Sequence, residues 1–118
     1  SSLEENDLNT ASYYGRLFAR CGGLSDAVAQ ALKEQGIDNF DLKAISCDGI
    51  EACKIALLKA QKKLSDYNFI EGMACQGGCV GGAGCLTHGE KNKLDVDKYS
   101  SSSSKKTITN AINKLKSK

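Results

Sequence analysis

The chain has 118 residues, of which 41% are hydrophobic and 25% charged, and these values are close to globular averages. They predict one domain with a modest core and exclude a fibrous repeat or global disorder. The formal net charge of +2 is too small for the concentrated positive field of a nucleic-acid-binding protein, so no nucleic-acid partner is expected.

No apolar run approaches the roughly 20 residues that span a bilayer, so no membrane association is expected. The polar start of the chain does not resemble a signal peptide, and we therefore expect the cytoplasm. The only methionine is Met73, which leads us to expect a fragment of a longer protein.

Four elements are predicted in chain order, and together they indicate an α/β fold. Helical spacing of apolar residues predicts helices over about 25–35 and 49–64, the second with a capping-box pattern at its start. Short runs over 40–46 and 67–71 suit strands. A helix between two strands implies a small parallel sheet with a right-handed crossover and flanking helices.

The carboxyl edge of a parallel sheet is where ligands gather. Cys47 and Cys75 are both predicted just beyond the ends of their strands, so they should project toward the same edge. Cys53 lies on the apolar face of the second helix and is expected to be a small buried hydrophobe.

The second half of the chain is more polar. We predict an N-terminal tail over 1–11, an α/β domain over 12–90, a polar and serine-rich linker over 91–104 and a C-terminal amphipathic helix over 105–118. Lysines near the end of that helix suit its dipole, and it is expected to dock onto the domain.

Six cysteines without a secretion signal favour metal or redox chemistry over a disulfide framework. Residues 73–84 read M-A-C-Q-G-G-C-V-G-G-A-G, and their glycines would cost a regular helix roughly 4–5 kcal/mol, which predicts an irregular loop. Thiolates suit iron–sulfur clusters, and glycines let the backbone approach a bulky cluster and aim N–H groups at it. The candidate cofactor-binding residues are Cys75, Cys79, Gly77, Gly78, Gly81 and Gly82.

Two other uses of these thiols remain open from spacing alone. Cys75, Cys79, Cys85 and His88 have the composition of a tetrahedral zinc site, although His88 by itself is more often an exposed loop histidine. A Cys75–Cys79 disulfide in a small redox-sensitive domain is the other reading. Cys85, His88 and Cys47 are therefore weaker candidates as metal ligands than Cys75 and Cys79.

At residues 73–84 the sequence resembles the iron-only (di-iron) hydrogenases of anaerobic microbes, whose last motif runs approximately M-A-C-P-G-G-C-x-x-G-G-G. The preceding F-I-E-G also fits, and upstream Y-Y-G-R-L-F-A-R-C-G-G-L is similar, so the likeness covers residues 12–89. Gln76 stands for the usual proline and Ala83 for a glycine. With the extra Cys85, these departures indicate a divergent branch.

The resemblance implies that Cys75 is a ligand of a four-iron, four-sulfur cubane and that Cys79 bridges this cubane to a di-iron centre. It implies reversible reduction of protons to dihydrogen, with the remainder of the catalytic domain and an electron carrier such as ferredoxin as partners. The family's other ligands belong to upstream motifs that are not found here, so the chain alone is expected to be inactive, with zinc or no metal bound in isolation. The alternative is a non-catalytic metal-binding or regulatory module with the same fold.

Overall fold

A computed structural model describes residues 11–117, which form an α/β arrangement around a two-stranded sheet. Short 3-10 turns at Leu17–Ala19 and Cys79–Gly81 accompany the regular elements. The elements of the described chain are α1 (Tyr13–Arg16), α2 (Gly23–Glu34), β1 (Ala44–Asp48), α3 (Ile50–Gln61), β2 (Phe69–Met73), α4 (Glu90–Ser101) and α5 (Ile108–Lys116).

The two strands are parallel, with Ala44 opposite Phe69 and Asp48 opposite Met73, and α3 connects them. This confirms the predicted α/β class and the parallel pair joined by a helix. Both strands, however, lie two or more residues further along the chain than the alternation of side chains predicted. The run over 40–46 begins too early because the side chain of Asn68, rather than a strand, bonds the backbone there. Its amide donates to Asp41 O and accepts from Lys43 N, both at 2.8 Å.

A buried carboxylate joins β2 to the start of α2. Glu71 is 2% exposed, and it accepts hydrogen bonds from the amides of Gly22 and Ser25 and from the hydroxyls of Ser25 and Ser46. Burial acts to raise the pKa of Glu71, but these bonds outweigh it and hold the pKa below its usual range. The charge also suits the helix N-terminus, so Glu71 fixes α2 on the sheet.

The segment over 91–104 was predicted to be a linker, and this is wrong because α4 occupies most of it. Ser100 is fully buried and its hydroxyl bonds Val96 O at 2.8 Å. Ser103 is 2% exposed and its hydroxyl donates to Ala11 O at 2.7 Å. Serine side chains are small, and hydrogen bonds to backbone carbonyls satisfy the hydroxyls of these two, so both can be buried where α4 packs. Composition alone does not reveal this role.

The C-terminal helix was predicted correctly, and it docks through its first turn. Glu34 of α2 accepts hydrogen bonds from Ile108 N at 3.0 Å and from Thr109 N at 2.8 Å. Desolvation acts to raise the pKa of Glu34, but hydrogen bonds from the two amides and from the side chains of Thr109 and Gln30 outweigh it and lower the pKa to about 2. Residues 1–10 of the predicted tail lie outside the described part of the chain.

Helix α3 covers one face of the sheet with small side chains. Ala56 is buried, whereas Leu57 of α3 and Leu64, which lies just beyond the helix, are 60% and 73% exposed. Cys53 is half-buried rather than buried. A large apolar surface therefore remains open on this side of the molecule. Among residues 11–117, no helix has the length and apolar content that crossing a membrane requires.

Candidate metal centre

The cysteine–glycine segment directly follows β2 and forms an irregular loop, as predicted. Gly77 and Gly78 have positive φ angles of 86° and 93°. The amide of Gly78 bonds Cys75 O, and that of Gly82 bonds Cys79 O, both at 3.0 Å. The chain therefore reverses twice within eight residues, in a geometry that glycine adopts without strain.

Close backbone contacts explain two of the glycines. A Cβ on Gly81 would lie 1.8 Å from Gln76 O, and one on Gly78 would lie 2.6 Å from Cys21 N. Cys21 N in turn donates to Gly77 O at 3.0 Å, so the turn before α2 packs directly on the loop. The loop is held by backbone contacts rather than by a hydrophobic core.

Cys75 and Cys79 are both exposed and free. A Cβ on Gly82 would meet the Cys75 Sγ at 3.7 Å, so the absence of a side chain there leaves room beside the thiol. Two soft donors on one loop, with space beside them, suit ligation of an iron–sulfur cluster. The residues present fit half of the four-thiolate set that a cubane requires.

Asp48 is a loop contact that the sequence did not reveal. It ends β1 opposite Met73, and its Oδ1 accepts a hydrogen bond from Gly77 N at 2.5 Å. The sequence feature that could have indicated this contact is the position of Asp48, a carboxylate at the carboxyl end of the strand next to β2. Asp48 also lines a cleft of about 520 Å³ beside the loop, together with Gln76, His88 and Lys93. That volume lies within the range of small-ligand sites.

The proposed zinc donors are not gathered around one centre. Cys85 Sγ points to Cys79 O at 3.1 Å, and His88 Nε2 lies 3.0 Å from Gly82 O. His88 is exposed on its loop, and both side chains bond the backbone of the cysteine loop instead of facing a shared point. Within residues 11–117, no group of three or more His, Cys, Asp or Glu side chains is placed to hold a metal ion.

Cys47 was expected just beyond its strand, but it lies inside β1, opposite Gly72, and is 2% exposed. The reason is that the ladder continues to Asp48. Burial and the neighbouring Cys53 raise the pKa of the Cys47 thiol. Burial, Asp48 and Glu71 raise that of Cys21 in the same direction. Thiolates are the metal-binding form, so a raised pKa makes Cys47 and Cys21 poorer metal ligands.

The model of a known protein family matches more than half of the sequence. The model of the family described as iron only hydrogenase large subunit, C-terminal domain, matches residues 1–83. No curated protein matches the chain. The family match includes Cys75 and Cys79 and ends before Cys85, His88 and α4. Because it spans well over half of the sequence, the chain belongs to the family of the C-terminal domain of the iron-only hydrogenase large subunit.

Proposed function

We propose that this chain is part of an iron-only hydrogenase catalytic domain and supplies Cys75 and Cys79 as ligands to a four-iron cubane linked to a di-iron centre. The family implies iron–sulfur cofactors in the parent enzyme. The observation that carries the proposal is the pair of exposed thiols on a glycine-shaped loop within the matched residues. Reversible reduction of protons to dihydrogen is the chemistry that such a cluster supplies when it is bound.

The chain's own residues hold the loop in place. Asp48 fixes the amide of Gly77, and Cys21 N fixes its carbonyl. Gly82 leaves the Cys75 thiol uncovered. Because the loop is already ordered, less free energy is lost in fixing these ligands around a cofactor.

Two cysteines from this family motif are half of a cubane's protein ligands, so the chain alone is inactive under this proposal. The remainder of the catalytic domain supplies the other ligands, and an electron carrier such as ferredoxin delivers electrons. The exposed side chains of Ile55, Leu57 and Leu58 on α3 support such a partner, because apolar surface of this kind is typically covered in an assembled domain.

The test is anaerobic reconstitution of the 118-residue chain with iron and sulfide in the presence of a small thiol. Iron content, visible charge-transfer absorption and electron spin resonance are recorded. We expect Cys75→Ser and Cys79→Ser each to lower iron uptake more than about tenfold. Loss of a residue that only orients a ligand already lowers metal affinity by about that factor, and loss of the ligand itself should lower it at least as much. Cys53→Ser is the matched control and keeps wild-type uptake, since a hydroxyl can replace its contacts to two carbonyls.

A wild-type chain that stays colourless and iron-free both alone and when reconstituted together with the remainder of the catalytic domain contradicts the proposal, as does an equal loss of iron in Cys53→Ser. Elemental analysis of protein purified without added metal tests the zinc module separately. Stoichiometric zinc that disappears in Cys85→Ser would support that module against the hydrogenase proposal. Iron uptake that is unchanged by Cys85→Ser supports the cluster.

A further inference from the structure

Helix α4 lies outside the family match, yet it contacts the cysteine loop directly. Asn92, in its first turn, donates from Nδ2 to Val80 O at 3.1 Å and to Thr87 O at 2.5 Å. Its Oδ1 accepts from the Thr87 hydroxyl at 3.0 Å. Val80 follows Cys79 in the 3-10 turn, so Asn92 holds the backbone immediately after the second candidate ligand.

The opposite half of α4 contacts the turn that packs on the other side of the loop. Asp97 forms an ion pair with Arg20, whose side chain is only 14% exposed, and Arg20 also donates to Cys21 O at 3.2 Å. Burial acts to lower the pKa of Arg20, but Asp97 and Asp26 outweigh it and raise the pKa, so the guanidinium stays charged. The same turn packs against Gly78.

We propose that Asn92 is a positioning residue for Cys79, and that α4 acts as a clamp anchored by the Arg20–Asp97 ion pair. The clamp holds the turn at Cys21 and the turn at Val80 in one arrangement. This fixes the backbone that carries the Cys79 thiol. The relevance to a cluster rests on the proposed function, whereas the effect on the loop does not.

The choice of side chain at position 92 allows a selective test. An asparagine amide donates two hydrogen bonds, and both donors are used here. Asn92→Asp keeps the acceptor for Thr87 but replaces both donors with a carboxylate that faces carbonyl oxygens. A carboxylate in the first turn of α4 suits the helix dipole, so the helix itself is not weakened.

The experiment compares Asn92→Asp with Asn110→Asp, which makes the same change at the third position of α5 on an exposed side chain. Amide hydrogen exchange at Gly81 and Gly82 is measured on the reduced, metal-free chain. We expect about fivefold to tenfold faster exchange in Asn92→Asp only, as for loss of one hydrogen bond. Urea denaturation serves to show that both variants remain folded.

After reconstitution, Asn92→Asp should also change the spin-resonance line shape of the cluster, while Asn110→Asp should not. A purely structural role would alter the urea midpoint and leave this signature unchanged. If Asn92→Asp does not fold, Asn92→Ala carries the same expectation for amide exchange.

The two proposals fail in different ways. Unchanged exchange at Gly81 and Gly82 overturns the positioning role, whether or not iron binds. Faster exchange in a chain that takes up no iron, either alone or together with the remainder of the catalytic domain, supports the clamp and contradicts the proposed function. An unaltered spin-resonance signal in a variant with faster exchange overturns the claim that the clamp positions Cys79.

Discussion

Two groups of cysteines in this chain differ in environment although they lie within a short stretch of sequence. The sheet cysteines, Cys47 and Cys53, are buried or half-buried around β1. The loop cysteines, Cys75 and Cys79, are exposed just beyond β2. The difference shows that the spacing between cysteines does not determine their exposure, because Cys47 lies inside β1 and Cys53 in α3, whereas both loop thiols lie beyond the end of β2.

Packing accounts for the sheet cysteines. Cys47 lies opposite Gly72 in the ladder, and Cys53 Sγ points to Cys47 O and Met73 O at 3.8 Å each. A Cβ on Gly72 would meet Cys53 Sγ at 3.2 Å, so the glycine makes room for this thiol. Cys47 thus acts as a small core residue, and Cys53 packs half-buried beside it.

The largest expected effect comes from Gly81→Ala, which should disturb the loop cysteines and leave the sheet cysteines in place. The new Cβ would lie 1.8 Å from Gln76 O, so the backbone of the loop must shift. We expect the free energy of unfolding to fall by about 2–3 kcal/mol, which is typical of overpacking. Urea denaturation followed by circular dichroism measures this change.

Gly84→Ala is the matched control for Gly81→Ala. Nothing lies within 4 Å of a Cβ at Gly84, and its φ angle is not positive. We expect a change below about 0.5 kcal/mol. Equal losses in the two variants would contradict a loop shaped by close backbone contacts.

The sequence predicted the parts of this comparison that depend on local pattern. Helix α3 was predicted from its apolar spacing, and the irregular loop from five glycines near Cys75 and Cys79. The predicted capping box does not form, because the N-cap of α3 is Gly49 and no side chain caps it. Asp48 was missed because its contact to Gly77 joins residues 29 apart in the chain. Such a contact depends on strand register, and register is set by tertiary pairing.

The serine-rich segment shows a different limit. Composition predicted a linker over 91–104, but Ser100 and Ser103 are buried where α4 approaches the N-terminal part of the described chain. The exposed leucines of α3 illustrate the converse, because apolar spacing indicates a buried face only when something covers that face. The linker prediction and the buried-face prediction are both wrong because burial depends on which elements pack against a segment, and local sequence does not show this.

Thiol labelling tests the comparison directly and has the next largest effect. At neutral pH and under reducing conditions, brief alkylation should modify Cys75 and Cys79 at least about 100-fold faster than Cys47. Reaction at Cys47 requires local opening of the sheet, and its raised pKa further lowers the thiolate fraction. Mass spectrometry of the digested chain gives the rate at each site.

Labelling in denaturant is the control, and there the rates should converge. Cys21 should react at an intermediate rate because it is half-buried and its pKa is also raised. Rapid modification of Cys47 in the folded chain would show that the two groups do not differ as the structure indicates.

The smallest expected effect lies on α5, away from both groups of cysteines. The pKa of Glu34 is about 2, below its ordinary value, so this carboxylate stabilises the fold above pH about 4.5 and loses its effect as the pH falls toward 2. Because Glu34 is partly exposed, we expect Glu34→Gln to cost only about 1 kcal/mol at pH 7. Urea denaturation at neutral and acid pH should show wild type and variant converging near pH 2. The labelling ratio of Cys75 to Cys47 at pH 7 should not change in this variant, because Glu34 holds the first turn of α5, which packs on α1 and α2. A changed ratio would mean that the docking of α5 helps to set the environment of the cysteines.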